Sequence, residues 1–235
     1  MTSAIRVPAA VLLPGTGSDE VVVRTVFGGP LAALGIPLTT PKPLPGAAAA
    51  DGFRAALDHL ADEHGTLLVG GISFGAHLAA EWAIENPGRC HGLLAALPAW
   101  NGAPADAPAA LAATLTADLV AGKGTGAAIA QARASSPKWL ADELSRAWHR
   151  HGDGLADALR AAATRTAPTV EELHGLDVPT GIGACTDDPV HPAKIAHTWA
   201  TALPHATYRE TTLTALGDDP ESLGRATVLA YLNAL

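Results

Sequence analysis

Thr66-Leu67-Leu68-Val69-Gly70-Gly71-Ile72-Ser73-Phe74-Gly75-Ala76-His77-Leu78 decides the fold. Leu67, Leu68, Val69 and Ile72 make an apolar run of the length of a buried strand. After Gly75 the apolar residues Leu78, Trp82 and Ile84 recur at helical spacing. Between the two lies Gly71-Ile72-Ser73-Phe74-Gly75, a G-x-S-x-G pattern, in the strand–turn–helix context that a nucleophile elbow requires. A serine on so tight a turn takes a strained backbone, and its neighbours at Gly71 and Gly75 must be small for the helix to pack on the strand. The expectation is a Ser73 with strained angles and its Oγ turned to a pocket.

Working upstream, Ala9–Leu13 is a short apolar run that ends in Pro14-Gly15-Thr16-Gly17-Ser18, a strand followed by an open glycine-rich loop. A dinucleotide fingerprint is excluded: the third glycine of G-x-G-x-x-G is absent, and Asp19 and Glu20 stand where a pyrophosphate would lie. Residues 20–35 read as a helix broken near Gly28-Gly29-Pro30, and Ile36–Thr40 as a strand. Asp51 reads as the N-cap of a helix that runs to His64 and stops at Gly65. His59 and His64 read as solvated.

Downstream, His77 lies one turn along the helix from Ser73. Helix direction carries it away from the serine, so it reads as a hydrogen-bonded core histidine. His91–Leu97 is the next strand. From Ala103 to about Pro168 strand-like runs vanish and alanine-rich helical segments follow one another, with a break at Gly122–Gly126 and a helix start at Ser136-Pro137. Gly122-Lys123-Gly124-Thr125 is not a P-loop, since glycine follows the lysine and no strand leads in. Trp100, Trp139 and Trp148 either line an apolar pocket or belong to the core. His149 and His151 read as exposed surface. Thr169-Val170-Glu171-Glu172 is a capping box. Val178–Ala184 is a strand, Pro192–Leu203 a helix with Ile195 and Trp199 facing inward, and Ala206–Leu213 the last strand. Asp218-Asp219-Pro220-Glu221 opens a final helix through Leu235.

These elements resemble the α/β-hydrolase family over nearly the whole chain. The resemblance implies an α/β fold with a mostly parallel sheet, helices on both faces and an all-helical cap insertion. Its division would be residues 1–102 and 169–235 for the core and 103–168 for the cap. It implies that Ser73 is the nucleophile, and that the backbone N–H groups of Thr16 and Phe74 form the oxyanion hole, with Pro14-Gly15 standing where the family often has His-Gly. In the family the acid follows the penultimate strand in a pattern of Asp, any residue, an aliphatic residue, any residue, Pro. Asp188-Pro189-Val190-His191-Pro192 matches, which makes Asp188 the acid, with Asp187 second.

The chain departs from the family at the base. The family's histidine follows the last strand, and here Thr214-Ala215-Leu216-Gly217-Asp218-Asp219 contains none. After Asp188 the histidines are His191, His197 and His205. His205 precedes the last strand and His197 lies along an outer helix, which leaves His191 in a loop on the catalytic edge. With Pro189 and Pro192 stiffening that loop, the expectation is that His191 sits at the pocket rim without a tight direct bond to Ser73.

Three readings stay open: a relocated base (His191, or His151 of the cap), a hydrolase-fold protein that binds a ligand without cleaving it, and a weak reaction run from the oxyanion hole. The leading function is hydrolysis of a small ester or thioester through Ser73. The alternative is a non-catalytic ligand-binding or scaffold protein on the same fold.

Composition sets the outer bounds. At 235 residues one domain with a substantial core is expected. No apolar run approaches the roughly 18 residues of a membrane span. The net charge of −8, without a Lys/Arg cluster, excludes a general nucleic-acid surface. Cys90 and Cys185 lack metal-ligand spacing and imply no disulfide framework. No metal or organic cofactor is indicated, and the expected partner is a small acyl substrate. Met1–Arg6 does not read as a signal peptide, so a reduced cytoplasmic setting is the default. Oligomeric state is not legible.

Overall fold

A computed structural model describes residues 9–235; the reading of Met1–Arg6 lies outside them. The elements in order are β1 (Ala10–Leu13), α1 (Glu20–Ala32), β2 (Leu38–Thr39), α2 (Ala49–His64), β3 (Leu67–Ile72), α3 (Phe74–Glu85) and β4 (Cys90–Ala96). Then come α4 (Pro108–Ser135), α5 (Lys138–His151), α6 (Leu155–Ala163), α7 (Val170–His174), β5 (Thr180–Cys185), α8 (Ala193–Ala202), β6 (Ala206–Thr211), α9 (Leu213–Asp218) and α10 (Glu221–Ala234). The strands form one sheet in the order β2-β1-β3-β4-β5-β6, and every pairing is parallel.

Both faces of the sheet are covered, so its central strands are apolar throughout rather than alternating. Val11, Leu13, Leu67, Val69, Leu93 and Ile182 point to one side, where α2, α3 and α8 contribute Phe53, Leu57, Trp82 and Trp199. Ala10, Leu12, Leu68 and Leu94 point to the other, against Val26, Phe27 and Leu31 of α1 and Leu223 and Tyr231 of α10. The chain leaves β1 toward β2 on one side and returns to β3 on the other. That reversal is a topological switch point, and in open α/β sheets the crevice outside the strand ends at such a point is where ligands bind. The Pro14–Ser18 loop and the Ser73 turn meet there.

Helices α4, α5 and α6 fill the connection between β4 and β5. Gly124 adopts φ 81 and kinks α4 in two within the anticipated break. The insertion has its own apolar centre of Val120, Ile129, Trp148, Leu155 and Leu159. Trp100 packs with Ala99, Ala110, Ala163 and Ala167, and Trp139 lies against Gly217. All three tryptophans are therefore packing residues.

Four expectations are corrected. Helix α1 runs unbroken through Gly28-Gly29-Pro30, because burial of Phe27, Pro30 and Leu31 outweighs the local helix-breaking tendency. Pro30 has no N–H for the Val26 carbonyl, and that carbonyl instead faces Gly224 of α10. Asp51 is not an N-cap: α2 begins at Ala49 after a 3-10 turn, and Asp51 sits in its first turn, where its charge suits the helix dipole. The last strand stops at Thr211, and the loop in which the family carries its base is the short helix α9, capped by Thr212 Oγ1 on the Ala215 amide at 3.0 Å. His151 is half-buried rather than exposed. The Thr169 capping box is present with both reciprocal bonds.

No helix among the described residues is long and apolar enough to cross a membrane. Among the same residues no three His, Cys, Asp or Glu side chains are grouped to hold a metal ion.

Candidate active site

Ser73 stands between β3 and α3 with φ 55 and ψ −117, a region that side chains other than glycine rarely adopt and that costs about 1–3 kcal/mol. The surroundings hold it there. Its amide donates to the Ala96 carbonyl at 2.8 Å, and its carbonyl accepts from Ala76 at 2.9 Å. A Cβ on Gly71 would come within 2.5 Å of the Leu13 carbonyl, and one on Gly75 within 2.3 Å of the same atom. The two positions must be small, as the sequence implied, and the nearest obstacle to a side chain is the end of β1.

The Ser73 hydroxyl is 2.9 Å from His191 Nε2. His191 Nδ1 is 2.9 Å from Asp188 Oδ2. This corrects the expectation of a rim histidine without a direct bond. The physical reason is the use Asp188 makes of its other oxygen: Oδ1 accepts the amides of Val190 at 2.8 Å and His191 at 3.0 Å. Such an Asx turn reverses the chain within three residues, so the Asp188 carboxylate and the His191 ring meet despite the flanking prolines. Pro192 then enters α8 directly.

With Asp188 accepting from Nδ1–H, the ring presents the Nε2 lone pair to the serine hydroxyl. Burial alone would raise the Asp188 pKa. The hydrogen bond and charge of His191, with the two amides, outweigh it and hold the carboxyl below its usual range. This order of bonds lets an imidazole take a hydroxyl proton while a carboxylate orients the ring. Asp187, the second candidate acid, is turned away: its Oδ1 accepts the Leu213 amide at 2.6 Å and anchors α9.

Thr16 lies in the loop after β1 and Phe74 opens α3. Among the described residues neither amide has a protein acceptor. A narrow cavity of about 20 Å³ is lined by both, together with Gly15, Gly17, Phe53 and His151. A larger groove of about 420 Å³ lies between α7 and α8, lined by His174, His197 and Thr201 among others. Neither cavity is lined by Ser73, His191 or Asp188; the smaller one adjoins the serine through Phe74, and the expected pocket at Ser73 Oγ is not among them. His77 is a core histidine, as anticipated. Its Nε2 accepts the Ala99 amide at 3.0 Å, and its ring stacks on Trp199 and meets the edge of Trp100. Burial, and secondarily the nearby His191, push its pKa down to about 3. Cys90 and Cys185 are free and buried. Burial pushes both thiols up to about 12, so neither competes as a nucleophile.

Sequence reasoning missed the contact between insertion and loop. Arg146 and Arg150 of α5 pair with Asp19, Arg150 also reaches Glu20, and His151 Nε2 donates to the Ser18 carbonyl at 2.9 Å. The one local signal was Asp19 before a helix start, where it caps the Val21 amide at 2.9 Å.

The architecture is the α/β-hydrolase fold. The chain superposes on an enol-lactonase from Burkholderia xenovorans LB400 with a TM-score of 0.74 at 18% identity, covering 97% of this chain and 92% of that one. It matches MenH from S. aureus with a TM-score of 0.72 at 18% identity, over 99% and 96% of the two chains. A thermophilic esterase from Thermogutta terrifontis gives a TM-score of 0.69 at 18% identity, over 96% and 90%. No protein-family model matches the sequence, and no curated protein does.

Proposed function

We propose that the protein hydrolyses small esters or thioesters through Ser73. The observation that carries this is the continuous relay from Ser73 Oγ through His191 to Asp188, with both contacts at 2.9 Å. In the proposed reaction His191 Nε2 takes the hydroxyl proton as Oγ attacks the acyl carbon. The amides of Thr16 and Phe74 stabilise the oxyanion, and the imidazolium returns its proton to the leaving alcohol or thiol. Water then repeats the sequence on the acyl-serine, with His191 as base. Residues 103–168 act as a cap over this site, with residues 1–102 and 169–235 as the core.

A relay of this order favours catalysis over ligand binding alone, since a binding site has no use for a base aligned on a strained serine. The unpaired cysteines suit a reducing, cytoplasmic setting, and a small acyl compound is the only partner invoked. The test is labelling by a fluorophosphonate together with turnover of p-nitrophenyl acetate. Wild-type protein labels and turns over; Ser73→Ala does neither. Persistent turnover in Ser73→Ala places the chemistry elsewhere, and a silent wild type returns the protein to the binding class.

A further inference from the structure

We infer that Asp19 is a positioning residue for the Thr16 N–H, held in place by the helical insertion. The inference rests on the proposed role of that amide as an oxyanion donor. Asp19 is 1% exposed, yet its carboxylate receives three charged hydrogen bonds. Arg146 binds both oxygens, Nη1 to Oδ2 at 2.6 Å and Nη2 to Oδ1 at 2.7 Å. Arg150 Nη1 adds a third at 2.6 Å, while its Nη2 reaches Glu20 Oε1 at 2.8 Å. With His151 on the Ser18 carbonyl, the last turns of α5 grip three consecutive residues, Ser18, Asp19 and Glu20.

Those residues are continuous with the loop that carries Thr16. The Ser18 amide closes on the Gly15 carbonyl at 3.1 Å, so residues 15–18 form one turn, and Asp19 follows it directly. The loop is confined from both sides. On the sheet side a Cβ at Gly15 would lie 3.3 Å from the Ile72 carbonyl and 3.5 Å from Ser73 Cβ. On the insertion side a Cβ at Gly17 would lie 3.1 Å from Trp148 Nε1 and 3.2 Å from Leu159 Cδ2. A buried carboxylate bound by a bidentate guanidinium is both strong and directional. Here it sits three residues from the amide whose direction matters. The insertion therefore does more than cover the site: through Asp19 it sets the aim of one donor.

Asp19→Asn is the informative substitution, because asparagine caps a helix as well as aspartate does but cannot hold two guanidinium groups. Removing an oxyanion donor outright costs about 10²–10³ in kcat, so a misdirected one is expected to cost about tenfold or more. The measurements are kcat, KM and the acid limb of the pH profile with p-nitrophenyl acetate, and amide hydrogen exchange over residues 15–19. The expected result is a kcat lowered about tenfold or more, KM within about threefold, an unmoved acid limb, and faster exchange in the loop. Arg146→Lys, which keeps the charge without the fork, gives a smaller loss in the same sense, and carries the test if Asp19→Asn does not fold. An unchanged kcat overturns the inference, as does a loss that comes with a shifted acid limb, which reports disturbance of His191 instead. A wild type without Ser73-dependent turnover defeats the functional reading. Faster loop exchange in Asp19→Asn then leaves the clamp as a structural tie, and the positioning role is overturned.

Discussion

At Asp188 one carboxylate carries three bonds: two backbone amides on Oδ1 and the imidazole on Oδ2. The turn and the orientation of the His191 ring therefore depend on the same group. Asp188→Asn is expected to keep much of the turn through its remaining oxygen but to favour the wrong tautomer of His191, lowering kcat by several powers of ten. His191→Ala removes the proposed base and is expected to lower kcat by about 10²–10⁴, with fluorophosphonate labelling slowed in parallel. Steady-state kinetics on folded protein checks both; a His191→Ala variant within a few-fold of wild type shows that the base is another residue, and an equally active Asp188→Asn variant shows that His191 does not depend on Asp188 for its orientation. Ser73 and Asp188 were legible as candidates because each sits in a short local pattern, and His191 because the other histidines after Asp188 fall in elements away from the catalytic edge. The sequence hid the direct contact, because whether two prolines permit it depends on an Asx turn made by the acid itself. Asp19 and its two arginines were hidden for a different reason: Arg146 and Arg150 lie 127 and 131 residues from it, and nothing local joins them to it.

At the scale of elements, the crossing of α1 and α10 shows how a break signal can mislead. Gly28, Gly29 and Pro30 read as the end of a helix, yet the helix continues because its far side is packed. A Cβ on Gly224 would come within 2.0 Å of the Val26 carbonyl, so Gly224→Ala must push the two helices apart. A destabilisation of about 1–3 kcal/mol is expected. Gly28 meets nothing within 4 Å, so Gly28→Ala should be neutral or stabilising by up to about 1 kcal/mol. Denaturant unfolding of the two variants checks the contrast, and equal effects would show that the crossing is slack. The strands, the elbow and the Thr169 capping box were legible because each has a local period or a pair of matched side chains. Helix α9 was not, since Thr214–Asp219 is too short to show a period.

For the whole molecule, acid sensitivity should follow two buried groups. His77 has its pKa pushed down to about 3 from 6.5. Between those values the unfolded chain binds a proton that the folded chain refuses. The stability linked to His77 is therefore complete above about 6.5 and falls as pH drops, by roughly 2 kcal/mol by pH 5. Asp188 is lowered from 3.8, so its contribution is intact above that value and is lost only as pH falls further, through its folded pKa. Unfolding free energies at pH 7 and 5 for wild type and His77→Gln test the first window. The variant should lose roughly 2 kcal/mol less than wild type over that interval, and equal losses would assign the sensitivity to other groups.

The separation between members of the relay also bears on how the site is assembled. Asp188 and His191 are three residues apart, whereas His191 and Ser73 are separated by 118. The entropy of closing a chain grows with the length closed. Acid and base can therefore meet as soon as their own loop turns, with no help from the rest of the sheet. Only one long closure, which brings β5 alongside β4 and β3, remains to deliver the pair to the serine. A relay whose base followed the last strand would need a second such closure. All three relay residues precede β6, so the relay needs only five of the six strands in register; β6 then extends the edge, and α10 covers β4 and β5 as well as β6.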